Sequence, residues 1–130
     1  MPPSPPTISD LKPYVPAKDF ARSKAFYAAL GFTLVEAHGG TVDCDLDGNR
    51  FRLQNYYVQA WADNFMMVMY TADVAAWLRH VREVVAAGGF TEVRIKPPEP
   101  VDDDVVLHVT DPSGVLLVFV QRASQRAVER

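Results

Sequence analysis

One order of elements runs through this chain twice, and that repetition limits its fold more than any other feature. In the first half Asp19 is placed to cap a helix. Phe20, Ser23, Phe26, Tyr27 and Leu30 then recur at helical spacing on one face, and Gly31 is placed to stop it. The spacing predicts a helix over 19–30. In the second half Asp73 takes the capping position, and Val74, Trp77, Leu78, Val81, Val84 and Val85 form the apolar stripe. Gly88-Gly89 ends that helix. A strand precedes each helix, at 11–17 and 65–71, and three follow each: 32–37, 41–46 and 50–56, then 90–95, 104–110 and 115–121. Gly39-Gly40 and Asp47-Gly48-Asn49 supply residues that tolerate positive φ in hairpin turns. Asp111-Pro112-Ser113-Gly114 has the pattern of a type I turn. Lys18-Asp19-Phe20 matches Ala72-Asp73-Val74, and Leu30-Gly31-Phe32 matches Gly88-Gly89-Phe90. The period of about 55 residues argues for a structural duplication.

The expected fold class is α+β: two βαβββ modules, at 11–56 and 65–121, joined by the segment 57–64. With 130 residues the chain fits one domain, here 11–122. Residues 1–10 read as a stiff, extended, proline-rich arm, either a free tail or an arm lying on a partner subunit. Residues 123–130 read as a tail. The opening Met1-Pro2-Pro3-Ser4-Pro5-Pro6 lacks the basic and apolar regions of a secretory signal. No run approaches the roughly 20 apolar residues that span a bilayer, so no membrane partner is expected. The single Cys44 excludes a disulfide framework and a cysteine zinc site, and a cytoplasmic location is expected. Lys and Arg are scattered in a chain of net charge −3, which gives no footprint for nucleic acid.

Two motifs carry a family resemblance. Asp19-Phe20-Ala21-Arg22-Ser23-Lys24-Ala25-Phe26-Tyr27-Ala28-Ala29-Leu30-Gly31-Phe32 resembles the opening of the vicinal oxygen chelate superfamily. Asp111-Pro112-Ser113-Gly114-Val115-Leu116-Leu117 resembles its closing signature. The group includes glyoxalases, extradiol dioxygenases, fosfomycin-resistance enzymes and bleomycin-resistance proteins. The resemblance spans about 11 to 121 in order and spacing. It implies a curved, barrel-like mixed sheet with helices outside, and a concave ligand cavity that a second subunit sometimes completes.

The family's enzymes hold a divalent metal with His and Glu on the first and last strands of each half. Counting from the motifs carries those positions to Lys12, Arg52 (or Leu53, one residue on), Met66 and Val118. None supplies the imidazole, carboxylate or thiolate that such metals take. His38 falls in a turn, His80 on the polar side of a helix and His108 on an internal strand. No metal and no cofactor are therefore expected. The resemblance is strongest to the metal-free bleomycin-resistance branch, whose members are homodimers.

Strand parity turns Phe51 and Leu53 toward the helices and Arg50, Arg52 and Gln54 away from them. Met66, Val68 and Tyr70 share one face, as do Leu116, Val118 and Val120. The candidate ligand-binding residues are Arg52, Gln54, Tyr56, Trp61, Met66, Val68, Tyr70, His108 and Val118, an apolar and aromatic set with a few hydrogen-bonding groups. The same Met and aromatic residues also suit a filled core. Arg50 and Arg52 favour an anionic or neutral ligand. Cys44 reads as a small core residue and Asp102-Asp103-Asp104 as a solvated loop. The expected function is metal-free binding of a small molecule, with an antibiotic as one candidate, by a homodimer. The alternatives are a glyoxalase- or dioxygenase-like metalloenzyme and an accessory homodimer with a vestigial pocket.

Overall fold

The computed structural model describes residues 4–123; the first three residues of the arm and the tail from 124 lie outside the described residues. The elements run β1 (Tyr14–Pro16), α1 (Phe20–Leu30), β2 (Thr33–Glu36), β3 (Val42–Leu46), β4 (Asn49–Gln54), α2 (Gln59–Asn64), β5 (Met66–Tyr70), α3 (Val74–Gly88), β6 (Arg94–Val101), β7 (Asp104–Thr110) and β8 (Leu116–Gln121). They form two four-stranded sheets, ordered β1-β4-β3-β2 and β5-β8-β7-β6. In each the opening strand lies parallel to the last strand of its half, and the other neighbours are antiparallel. The duplication thus extends to strand register: Tyr14 sits opposite Arg52 and Val68 opposite Val118.

The helices start where the caps predict. Asp19 accepts the Arg22 backbone N–H at 3.1 Å, and Asp73 accepts that of Ala76 at 2.9 Å. At the end of α3, Gly89 takes a left-handed φ of 61°, which a residue without Cβ adopts freely. One core runs through both halves, because α1 packs on α3 as well as on its own sheet. Phe26, Tyr27 and Leu30 enter it from α1, Val81 and Val84 from α3, and Leu53, Leu107 and Leu117 from the sheets. Ser23 and Ser113 meet inside it at 3.1 Å. Cys44 is fully buried there, and burial pushes its thiol up to about 12.

Some bounds differ from the sequence pattern, each for a local reason. β1 is shorter than 11–17, because Pro13 and Pro16 have no N–H to give a ladder. Gly39-Gly40 belongs to a single 3-10 turn closed by Thr41 Oγ1, which donates to the His38 carbonyl at 2.7 Å. The joining segment contains the short helix α2. β6 starts later than expected and runs through Pro97, Pro98 and Pro100. It lies at the sheet edge, with a register shift between Lys96 and Glu99, where missing donors are tolerated. Among the described residues, no helix is long and apolar enough to cross a membrane.

Candidate ligand-binding site

Each sheet turns one face to the core and the other outward, and the two outward faces differ in chemistry. On the first sheet Val15, Cys44, Phe51 and Leu53 point inward. Tyr14, Asp43, Asp45, Arg50, Arg52 and Gln54 therefore point out. Register places Arg52 opposite Asp43 and Arg50 opposite Asp45. Arg52 forms a two-pronged bridge to Asp43, with Nε at 2.6 Å from Oδ1 and Nη2 at 3.1 Å from Oδ2. Lys12 Nζ reaches the same carboxylate at 3.0 Å and Asp10 at 3.1 Å. Arg50 lies 3.1 Å from Asp45 and 3.6 Å from Asp10. The Arg52 guanidinium, helped by Lys12, holds the Asp43 carboxyl down at about 2. Asp43 in turn pushes the Lys12 ammonium up.

These pairs bear on two expectations. The basic wall is balanced: Lys12, Arg50 and Arg52 face Asp10, Asp43 and Asp45, so it attracts no anion by net charge. The metal-ligand positions do not fit a divalent ion either. Lys12 and Arg52 converge on Asp43 and would repel one, Leu53 is buried in the core, and Met66 and Val118 bring no hard donor. Among the described residues, no three His, Cys, Asp or Glu side chains group as a metal site needs.

The outward face of the second sheet is apolar. Met66, Val68 and Tyr70 of β5 are exposed by 57%, 48% and 61%. Beside them Leu116, Val118 and Val120 of β8 pack with Val106 of β7. His108 lies next to Val118 in register, and its Nδ1 is buried without a hydrogen-bond partner among the described residues. Tyr56, just before α2, and Trp61, within it, have ring centroids 5.8 Å apart. The candidate residues thus fall into three groups: Arg52 and Gln54 on the first sheet, Met66, Val68, Tyr70, His108 and Val118 on the second, and Tyr56 with Trp61.

A concavity within one chain lies elsewhere, between the halves. It is a cleft of about 660 Å³, with Phe32, Phe51, Met67, Met69, Trp77 and Phe119 in its walls. Of the candidate residues only Val68 and Tyr70 reach it. Sequence parity marks Met67 and Met69 as inward-facing, but the packing of one half on the other decides that they border a cleft.

The family model described as glyoxalase/bleomycin resistance protein/dioxygenase superfamily matches residues 10–119. This chain belongs to that superfamily. Solved members agree in fold across nearly the whole chain. A bleomycin resistance determinant encoded on the transposon Tn5 is 24% identical, with a TM-score of 0.70 over 88% of this chain and 98% of its own. A bleomycin-binding protein complexed with bleomycin is also 24% identical, with a TM-score of 0.70 over 88% of this chain and 99% of its own. The bleomycin-binding protein of bleomycin-producing Streptomyces verticillus, complexed with copper(II)-bleomycin, is 19% identical, with a TM-score of 0.69 over 87% and 97%. No curated protein matches the sequence significantly. The glyoxalase/bleomycin resistance fold therefore holds here while the metal-ligand positions carry other side chains.

Proposed function

We propose that this superfamily member binds and sequesters a small molecule without a metal ion. Residues 11–122 act as one domain, with the proline-rich arm and the tail as appendages. The carrying observation is the Lys12–Asp43–Arg52 cluster, which puts two cations where the family's enzymes need metal donors. Solved structures that share this fold include proteins described as binding bleomycin, which favours an antibiotic among possible ligands.

In this reading the protein is a cytoplasmic homodimer. The apolar outward face of the second sheet meets the polar outward face of the partner's first sheet. Met66, Val68, Tyr70, His108 and Val118 supply one wall of the cavity, Arg52 and Gln54 the other, and Tyr56 and Trp61 its mouth. An apolar platform facing a few fixed polar groups is the usual make-up of a small-molecule pocket.

A thermal-shift titration of the EDTA-treated protein with bleomycin tests this. Ligand at about a hundredfold over its Kd adds about 2.7 kcal/mol, a rise of roughly 10 °C for a domain of this size. A saturable rise without metal is the expected result. A flat curve with bleomycin, together with a saturable rise on adding Zn²⁺ or Ni²⁺, overturns the metal-free reading.

A further inference from the structure

The cleft between the halves has a chemistry of its own. Its floor is a stacked pair, Trp77 of α3 and Phe119 of β8, with centroids 4.6 Å apart and planes 27° apart. Met67 and Met69 border it from β5, and the β3–β4 hairpin forms the opposite wall. Past Trp77 a shallower groove of about 410 Å³ continues toward Leu30, Asp73 and His80. Asp47, at the tip of the hairpin, lines both parts.

The charges around this groove do not cancel. Arg50 is its only Lys or Arg side chain among the described residues, and it is already bridged to Asp45 and Asp10. His80 donates Nε2–H to the Leu30 carbonyl at 2.8 Å, which fixes the ring in place. The Asp47 carboxylate has no ion pair among the described residues. Asp73, the cap of α3, adds a second carboxylate to the shallow part. Aromatic faces present negative π potential and attract organic cations. A carboxylate without a counter-ion beside a Trp–Phe stack therefore selects a positive charge on a flat, apolar body.

We propose that this cleft is a second binding site, contained within one chain, for a planar aromatic organic cation. Its volume lies in the range of roughly 300–1,000 Å³ that such ligands occupy. Trp77, backed by the buried Phe119, takes the ring system and Asp47 the charge. The site shares only Val68 and Tyr70 with the proposed two-chain cavity and is otherwise built within one chain.

Fluorescence titration with berberine, a planar aromatic cation, tests the proposal at low ionic strength. 8-Anilinonaphthalene-1-sulfonate serves as an anion of comparable size. The protein is expected to bind berberine saturably at one site per chain and more tightly than the anion. Asp47→Asn should weaken berberine about fivefold, the scale of a partly exposed ion pair, and leave the anion unchanged. Asn suits this position, because residue 47 has a φ of 55°, a left-handed conformation that Asn tolerates well. Met66→Arg, on the outward sheet face and outside the cleft, should leave berberine binding intact. Equal affinity of the Asp47→Asn and unaltered proteins overturns the proposal, as does tighter binding of the anion or no berberine binding. Loss of berberine in Met66→Arg, with Asp47→Asn unaffected, also overturns it. That last result places the dye on the sheet face and leaves the metal-free binding function standing.

Discussion

Tyr27 donates its phenol proton to Asp111 Oδ2 at 2.6 Å, a bond between the helix of the first half and the closing turn of the second. Both groups are buried. The other carboxylate oxygen accepts the backbone N–H of Ser113 at 2.7 Å and of Val115 at 3.0 Å. Burial pushes the Asp111 carboxyl up, and these hydrogen bonds oppose the rise. Tyr27→Phe keeps the ring and removes one donor from a buried carboxylate. It should cost about 1–3 kcal/mol in urea unfolding. An unchanged midpoint would show that the two halves do not depend on this bond.

Asp43 gives the chain a pH signature. Its folded carboxyl sits at about 2, below its ordinary value, because Arg52 and Lys12 favour the charged form. A depressed carboxyl contributes stability that is present above the unfolded value and lost as pH falls through the folded one. Asp43→Asn should therefore lower Tm at pH 7, and the gap to the unaltered protein should close between about pH 4 and pH 2. Parallel thermal melts of the two proteins across that window check the sign.

Neighbouring glycines at the end of α3 should respond differently to alanine. A Cβ on Gly88 would overlap the Phe90 ring, and Phe90 is itself buried against Phe26. Gly88→Ala should therefore cost about 1–3 kcal/mol as overpacking. Gly89 has open space, so alanine there pays only for the left-handed conformation, about 1–2 kcal/mol. Denaturant midpoints of the two variants give the comparison directly.

Met66 tests the proposed assembly. Its side chain is exposed on the outward face of the second sheet. Met66→Arg puts a charge into the expected dimer contact and should shift the protein from dimer to monomer in sedimentation velocity. It should also weaken ligand binding at the two-chain cavity by about tenfold or more, as an unpaired buried charge does. A variant that stays dimeric would move the interface elsewhere.

Much of this architecture is legible in the sequence because its signals are local. Asp19 and Asp73 mark the helix starts, and alternation along β4 turns Arg52 outward and Leu53 inward. The Arg52–Asp43 bridge is one step less visible. A two-residue turn at Asp47-Gly48 sets residue 43 opposite 52, so counting back along the hairpin finds it. Helix α2 carries no side-chain cap to announce it, and the prolines of β6 read as a strand end until the edge position is known. The cleft between the halves is hidden for a different reason. Asp47 and Trp77 come together only when the first module packs on the second, which no local pattern encodes.

The prolines of β6 also bear on how these chains meet one another. A sheet edge recruits foreign strands through its free backbone donors, and Pro97, Pro98 and Pro100 have none to offer. The second sheet is therefore blunted on that side, and β5, where Met66–Tyr70 forms the other edge, is its more receptive border. Growth of the second sheet by strand addition is therefore one-ended. An apolar five-residue edge that would invite fibre formation in a sheet open on both sides sits here in a sheet whose other side is proline-blunted.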